Sequence, residues 1–447
     1  MTKPDDEYLQ GFYAALDPQL PLDPDDKRRV ALYQHSSLQA TPTDDLRASI
    51  QWTPLESVHL FSGFRGTGKT TELRRLAADL REAGAVVLLA DMNDYLNFED
   101  VIDFSPFLLS IAGAISDSLI SPDLLGKDLG EEGYWTRFRN FLTRTKVEIN
   151  ALDSTVDIMG AKLGIKAALK TDPSFRESLA KHMASDVSIS AFVEDVHAFV
   201  QTCAKALRER HGDARIVFIF DSIEQIAVRD DNHQQMSANL TRIFSTYAKN
   251  LRFEGIHVVY TVPPWLKLAN KGIVALHTGA FTLPCVKVRD RDGGEFEAGI
   301  ALLAEVVAKR EADWRRLFEH EAALRQLILA SGGYIRDLFR LLRACLLRAR
   351  RQFPLSDEAV ALALADVTNS YMPLLHRDAR WLHRVALSHE AEVSEPEDIP
   401  ALAGYFDAHL VLCYANGKEW YDVHPLLKAH VEAVVVRLDQ EAANTKP

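Results

Sequence analysis

A short segment near residue 65 carries three glycines, a lysine and three threonines between an apolar run and a charged stretch. Gly63, Gly68, Lys69 and Thr70 match GxxxxGK[ST], in which glycines let successive backbone N–H groups turn toward one anion. The lysine would reach the terminal phosphates of a nucleotide, and the threonine hydroxyl would be a ligand of nucleotide-bound Mg²⁺. The residues predicted to bind the nucleotide are Gly63, Arg65, Gly66, Thr67, Gly68, Lys69, Thr70 and Thr71. The alternative is a glycine-rich turn with a solvated lysine.

The flanking sequence supplies the strand and the helix that such a loop requires. The apolar segment SVHLF precedes the loop, and Leu73, Leu76 and Leu80 recur at helical spacing after it. Gly84 follows as a candidate C-cap. The N-terminus of this helix would add roughly half a positive charge beside the phosphates.

An acidic residue that could complete a metal site follows a second apolar run. Residues 216–220 are typical of a strand buried on both faces, and Asp221 comes directly after them. Ligands bind at that edge of an open parallel sheet, so Thr70 and Asp221 are predicted to hold Mg²⁺, Asp221 through water. Glu224 is the candidate for polarising the attacking water. The alternatives are a helix N-cap for Asp221 and a solvated helix carboxylate for Glu224.

Strands and helices alternate along the first 290 residues, which predicts an α/β fold with a parallel P-loop NTPase sheet flanked by helices. Further strands are expected from Ala85, Gly255 and Phe281, and a hairpin is expected to turn at Asn416-Gly417. The predicted domains are an N-terminal extension packing on the core (1–50), the ATPase core (51–290) with a mainly helical insertion (about 121–190), an α-helical lid (291–372) and a small winged-helix-like domain (373–447).

One arginine of the lid stands at a helix N-terminus. The lid sequence breaks at Gly332 and Gly333, and a new helix then starts with Arg336 in its first turn. A cation there opposes the helix dipole, so an anion is expected to compensate it. A nucleotide phosphate would do so and would make Arg336 a candidate catalytic residue, while Asp337 or a neighbouring acid would serve equally well.

Length and composition limit the remaining interpretations. A chain of 447 residues is too long for one core, and its apolar runs are far shorter than the roughly 18 residues of a membrane span. The start of the chain does not read as a signal peptide, so a cytoplasmic location is expected. Four well-separated cysteines predict buried thiols rather than disulfides or a zinc site. A net charge of -12 opposes non-specific attraction to DNA.

The GFRGTGKTTEL loop, the strand ending in Asp221, the GGYIRDL lid sequence and the winged-helix-like tail together resemble the AAA+ and STAND group of P-loop ATPases. The lid and tail resemble those of origin-initiator ATPases, and the resemblance covers roughly residues 20–440. It implies ATP rather than GTP, hydrolysis with Mg²⁺ as cofactor, and ADP as product. It also places Arg336 at the sensor-2 arginine and Thr261 near the sensor-1 position.

The sequence departs from typical AAA+ proteins in two ways. Asp221 and Glu224 stand three apart, closer to the STAND pattern, whereas AAA+ proteins carry the two acids side by side. No arginine lies between Val262 and Val288, where ring-forming relatives present an arginine finger. Either the ring is absent or the finger comes from elsewhere, for which Arg252 is a candidate.

Two outputs fit this pattern. The first is a nucleotide-dependent switch or regulatory subunit for a separately encoded effector protein, in prokaryotic signalling or defence, with a homo-oligomer on activation. The second is a DNA-engaging ATPase of the initiator or transposition-regulator type. The candidate recognition helix, 395–407, carries four acids and no lysine or arginine, which favours the first. A scaffold that ATP merely stabilises is a third interpretation.

Overall fold

The computed structural model describes residues 4–17, 22–34, 41–97, 101–126, 170–172, 186–225, 233–393 and 395–444. Most of the predicted insertion at 121–190 lies outside the described residues. Within the described part of the chain, every helix falls short of the length and apolarity that a bilayer crossing requires.

The centre of the molecule is a five-stranded parallel sheet in the order β2-β3-β4-β1-β5. Its strands are β1 (Ser57–Gly63), β2 (Val86–Asp91), β3 (Ile216–Asp221), β4 (His257–Val262) and β5 (Gly279–Leu283). The helices up to β5 are α1 (Pro4–Ala15), α2 (Pro42–Trp52), α3 (Lys69–Glu82), α4 (Phe104–Ser118), α5 (Asp186–His211), α6 (His233–Ser245) and α7 (Leu266–Ala269).

Four helices follow the sheet and form the lid: α8 (Glu297–Arg310), α9 (Ala322–Ala330), α10 (Ile335–Ala349) and α11 (Asp357–Asn369). The C-terminal domain, residues 373–444, contains α12 (His376–Ser388), α13 (Ile399–Asp407), β6 (Val411–Asn416), β7 (Lys418–Val423) and α14 (Pro425–Asn444). Its hairpin turns at Gly417, as predicted. This order of helices, hairpin and helix is winged-helix-like, and the predicted fold class is confirmed.

Alternating side chains of the central strands separate two hydrophobic cores. Phe218 and Phe220 of β3 belong to a core that is continuous with the C-terminal domain. Val217 and Ile219, which point to the other face, belong to a core that is continuous with the lid. Both faces are therefore covered, which explains the uninterrupted apolar run of β3. The carboxyl-terminal edge of the sheet therefore lies between the lid and the C-terminal domain.

Candidate nucleotide-binding site

The glycine-rich loop connects β1 to α3 at the carboxyl-terminal edge of the sheet. Gly66 and Gly68 have φ angles of +92° and +93°, a region that favours glycine. Gly66 also lies so close to the lid that a Cβ there would stand 2.7 Å from Nε of Arg336. The loop is thus shaped both for an anion at the start of α3 and for close approach of the lid.

Lys69 is the first residue of α3 and is only 3% exposed. Its Nζ donates hydrogen bonds to the carbonyl oxygens of Gly63 (2.8 Å) and Phe64 (2.7 Å). The same ammonium lies 3.1 Å from Oε1 of Glu224. These contacts hold the charged end of Lys69 beside the loop, where the terminal phosphates of a bound nucleotide would lie.

Thr70 and Asp221 meet directly, although they lie on different elements. The Thr70 hydroxyl donates to Oδ2 of Asp221 at 2.7 Å, and the Ser222 amide donates to Oδ1 at 2.7 Å. Burial, followed by the negative charge of Glu224, raises the pKa of Asp221 to about 7. Its carboxylate is therefore held in a position where it would be stabilised by an additional cation.

Glu224 lies on a short 3₁₀ turn, Ile223–Gln225, immediately after β3. Its Oε2 is buried and has no hydrogen-bond partner among the described residues. Thr261 on β4 fixes the turn, because its hydroxyl oxygen accepts from the Ile223 amide at 3.0 Å and lies 3.3 Å from the carbonyl oxygen of Phe220. Thr261 is fully buried, so in this structure it contacts the backbone beside the predicted catalytic turn.

These side chains border a cavity of about 580 Å³. The phosphate end is formed by the loop, Lys69, Thr70, Asp221 and Glu224. An N-terminal segment and two lid helices line the rest of the cavity with arginines and with five apolar residues: Val30, Leu32, Val306, Ile335 and Phe339. A cavity that combines charged and apolar side chains in this way fits a nucleotide, which has a charged and an apolar part.

The N-terminal segment 22–34 is attached to the loop itself. The Tyr33 hydroxyl lies 3.0 Å from the carbonyl oxygen of Thr67 and 2.9 Å from that of Pro284. The hydroxyl of Thr71, at the start of α3, accepts from the Leu22 amide at 3.4 Å. This segment was predicted only as an extension packing on the core, and the structure places it along the nucleotide cavity.

Arg336 lies in the first turn of α10 and lines the cavity. Its Nε is buried without a partner among the described residues. Asp337, the alternative compensating acid, instead binds Arg340 (2.8 Å), the Tyr371 hydroxyl and His424 (3.2 Å). Burial by itself would raise the pKa of Asp337, but these partners hold that pKa below its usual value. Asp337 is therefore occupied elsewhere, and Arg336 faces the loop.

Among the other arginines that line the cavity, Arg29 and Arg310 have buried donors that lack partners, and sequence reasoning missed both. Nε and Nη2 of Arg29 are buried without hydrogen-bond partners among the described residues, although its guanidinium lies 3.6 Å from Glu72. Arg310, the last residue of α8, likewise has a buried Nε without a partner in the described ranges. Neither belongs to a local motif, and only the packing of the N-terminal segment and lid against the loop brings them together.

The donor set of the site fits Mg²⁺. Thr70 and Asp221 present a hydroxyl and a carboxylate, the oxygen ligands that Mg²⁺ prefers. Two carboxylates share one ammonium at this point, and Oε2 of Glu224 lacks a partner among the described residues, so the local charge balance accommodates a cation. In the described parts of the chain, no cluster of three or more histidine, cysteine, aspartate or glutamate side chains could hold a metal by itself. Thr70 and Asp221 would hold Mg²⁺ jointly with the phosphates of a bound nucleotide.

The C-terminal domain also contacts the loop. The rings of Phe64 and Phe406 stack with their centroids 5.5 Å apart. The carbonyl oxygen of Arg65 accepts from the Tyr334 hydroxyl, and Nε2 of His409 lies 3.2 Å from it. The rings of Tyr334 and His409 stack on each other at 4.8 Å. One loop peptide therefore links the nucleotide cavity, the lid and the C-terminal domain.

Fold and site together define the class: a protein with a P-loop on a parallel sheet, followed by a helical lid and a C-terminal domain. No protein-family model and no curated protein matches the chain. Two solved structures are similar over nearly its whole length. The Aeropyrum pernix ORC2 protein, solved in ADPNP–ADP complexes, has 11% sequence identity and a TM-score of 0.42, covering 97% of this chain and 98% of that chain. CDC6P from Pyrobaculum aerophilum has 14% identity and a TM-score of 0.36, covering 96% and 98%.

Proposed function

We propose that the protein is a Mg²⁺-dependent ATP-binding and hydrolysing ATPase of the AAA+ type, with an initiator-like lid and C-terminal domain. The convergence of Lys69, Thr70, Asp221 and Glu224 at one end of a nucleotide-sized cavity carries this proposal. Hydroxyl, carboxylate and ammonium groups in this arrangement are those that phosphoryl transfer to water requires. ATP is favoured over GTP by the family resemblance alone.

The chain supplies a group for each part of the reaction. Loop amides and Lys69 would stabilise charge on the β- and γ-phosphates, while Thr70 and Asp221 would hold Mg²⁺, which neutralises that charge further when bound. Glu224 would take the proton of a water in line with the γ-phosphorus as the water oxygen bonds to phosphorus and the bond from phosphorus to ADP breaks. Arg336 would contact the phosphates from the lid and couple their presence to the position of α10.

The contacts around Arg65 support a switch. Its carbonyl oxygen is bound by one lid residue and approached by one residue of the C-terminal domain. A phosphate on the loop would act on the same peptides, so nucleotide state would be transmitted to both domains. The recipient proposed from the sequence is a separately encoded effector protein, with a homo-oligomer forming on activation. The comparisons give no support for an effector.

The second candidate output is DNA engagement of the initiator type. Similarity in fold to the ORC2 and CDC6P structures favours this output over an effector. The lid arginines that could line a DNA path are mostly engaged: Arg340 binds Asp337, Arg348 binds Asp366, and Arg343 lies over the Tyr13 ring. In residues 373–444, acidic side chains outnumber lysines and arginines two to one. The candidate recognition helix α13 packs through Phe406 against the loop.

Two binding measurements test these proposals. Lys69→Ala should lower affinity for Mg²⁺-ATP by roughly 10- to 100-fold, the effect of losing charge-assisted hydrogen bonds. Lys271→Ala, which removes an exposed lysine, is the matched control and should bind as wild type. Unchanged binding by the Lys69 variant would contradict the proposed site. Duplex DNA with a non-hydrolysable ATP analogue, at two salt concentrations, tests the output: tight, salt-sensitive binding would establish the DNA-engaging candidate.

A further inference from the structure

Arg310 stands out among the side chains of the nucleotide cavity. It ends α8, one helical turn after Val306, which also lines the cavity. Its guanidinium carbon lies 5.4 Å from the centroid of the Phe339 ring. Its Nε is shielded from solvent without a hydrogen-bond partner in the described ranges. A buried donor without an acceptor is unfavourable, so a ligand that supplies an acceptor would be favoured here.

The position of Arg310 identifies the part of the ligand that it would meet. Lys69 and Thr70 mark the phosphate end of the cavity. Val306 and Phe339, the neighbours of Arg310, belong to the apolar lining. A nucleotide carries its charge at one end and a flat heteroaromatic base at the other, so the base would lie on the apolar lining. Ring nitrogens of a purine are hydrogen-bond acceptors, and guanidinium planes also stack on bases.

A second arginine of the same cavity provides an internal comparison. Arg28 also lines the cavity, but Asp26 binds its Nε at 3.0 Å and its Nη2 at 2.7 Å. Both donors of that fork are thus satisfied within the protein. Among the described residues, Nε of Arg310 makes no such bond, and the charge of Arg310 acts on the Phe339 ring and on the carboxylate of Asp26. Both arginines line the cavity, but the donors of Arg28 have acceptors within the protein, whereas Nε of Arg310 would need a ligand to supply one.

We propose that Arg310 binds the purine base of the nucleotide, donating N–H bonds to ring-nitrogen acceptors while Phe339 supports its guanidinium plane. This inference rests on the proposed nucleotide-binding function and adds the residue that recognises the base. It predicts that Arg310 contributes to affinity for ATP and not to affinity for phosphate chains that lack a base.

Calorimetric binding of ATP and of inorganic tripolyphosphate, each with Mg²⁺, to the full-length protein separates these contributions. Arg310→Ala should weaken ATP binding about tenfold or more, as expected for a hydrogen bond to a charged donor, and leave tripolyphosphate binding unchanged. Lys309→Ala, which removes the exposed cation that precedes Arg310 on α8, is the control and should change neither affinity more than about threefold. Arg310→Lys keeps the charge and the aliphatic stem but not the planar fork, so it should fold and still lose most of the ATP-specific affinity.

Equal weakening of both ligands by Arg310→Ala would overturn the proposal, because it would place the arginine on the phosphates. Unchanged ATP binding by Arg310→Ala would also overturn it, as would full ATP affinity in Arg310→Lys. Failure of the proposed function is distinguishable: the wild-type protein would then bind neither ligand, and Lys69→Ala would change nothing.

Discussion

At the scale of single residues, the account depends on two acids and one ammonium at the end of β3. The charge of Glu224 adds to burial in raising the pKa of Asp221. One ammonium serves both acids, because Lys69 lies 3.1 Å from Glu224 and its charge also lowers the pKa of Asp221. The arrangement is costly for the empty site and favourable once a cation binds. Its protonation should therefore respond to ligand.

Binding of Mg²⁺-ATP should release protons near neutral pH. The pKa of Asp221 is about 7 without ligand, and a bound cation favours the ionised form, so the affinity should rise between pH 6 and pH 8. Calorimetry at pH 7 in two buffers of different ionisation enthalpy measures the released proton. Asp221→Asn should abolish the buffer dependence, and proton uptake by the wild-type protein would contradict the assignment.

The same carboxyl should make the ligand-free protein less stable as pH rises. Because folding raises the pKa of Asp221 from 3.8 to about 7, the protonated carboxyl stabilises the folded protein below pH 4. This stabilisation is lost as the pH rises through 7. At pH 8, Asp221→Asn should therefore raise the free energy of unfolding by about 1–2 kcal/mol, which raises the melting temperature by several degrees. At pH 4 the substitution should have little effect. Thermal unfolding at both pH values decides this. A variant less stable than wild type at pH 8 would refute the sign.

At the scale of elements, the junction between α9 and α10 positions Arg336. Gly333 has a φ of +76°, and a Cβ there would lie 1.7 Å from the carbonyl oxygen of Val286. The Gly333 carbonyl oxygen also accepts from the Val286 amide at 3.2 Å. The lid thus meets the core, after β5, through close backbone contact that only glycine permits.

Gly333→Ala should separate this backbone contact and destabilise the protein by more than about 3 kcal/mol, because steric overlap adds to the cost of a positive φ. Gly84→Ala is the matched control: its φ is +85°, but no atom lies within 4 Å of the added Cβ, so only about 1–2 kcal/mol is expected. Urea unfolding of both variants measures the difference. Equal destabilisation would show that the contact with Val286 contributes nothing.

Much of this level could be predicted from the sequence, because its signals are local. Four elements were predicted from patterns only a few residues long: the loop, the strand before Asp221, the helix break at Gly332 and Gly333, and the hairpin at Gly417. Arg29 and Arg310 could not be found this way, because each becomes part of the site only when distant segments pack together. The position of Thr261 depends on a neighbouring strand, so its contact with Ile223 was also beyond local pattern.

At the scale of the whole molecule, the C-terminal domain is docked on the nucleotide loop. Its side chains join the core that covers one face of the sheet, and the ring of Phe406 stacks on that of Phe64 in the loop. Lys267, after β4, forms an ion pair with Glu419 on β7. A movement that separates the C-terminal domain from the loop would break both of these contacts.

Phe406→Ala should loosen the C-terminal domain from the loop. Phe406 is 1% exposed, and a buried Phe→Ala change costs about 3–5 kcal/mol. Hydrogen exchange should accelerate in α13 and at the loop while the strands of the sheet stay protected. Leu387→Ala, in the same domain but 72% exposed, should leave exchange unchanged. Unaltered exchange at the loop in the Phe406 variant would show that the two are not coupled.

The most direct test of the central claim is single-turnover release of γ-phosphate from Mg²⁺-ATP by the wild-type protein and by Glu224→Gln. The account predicts that the variant binds Mg²⁺-ATP within about threefold of wild type but hydrolyses it at least about 100-fold more slowly, since a positioned general base contributes 10²–10⁴ in rate. Equal hydrolysis rates in the two proteins would contradict it and remove Glu224 from the reaction.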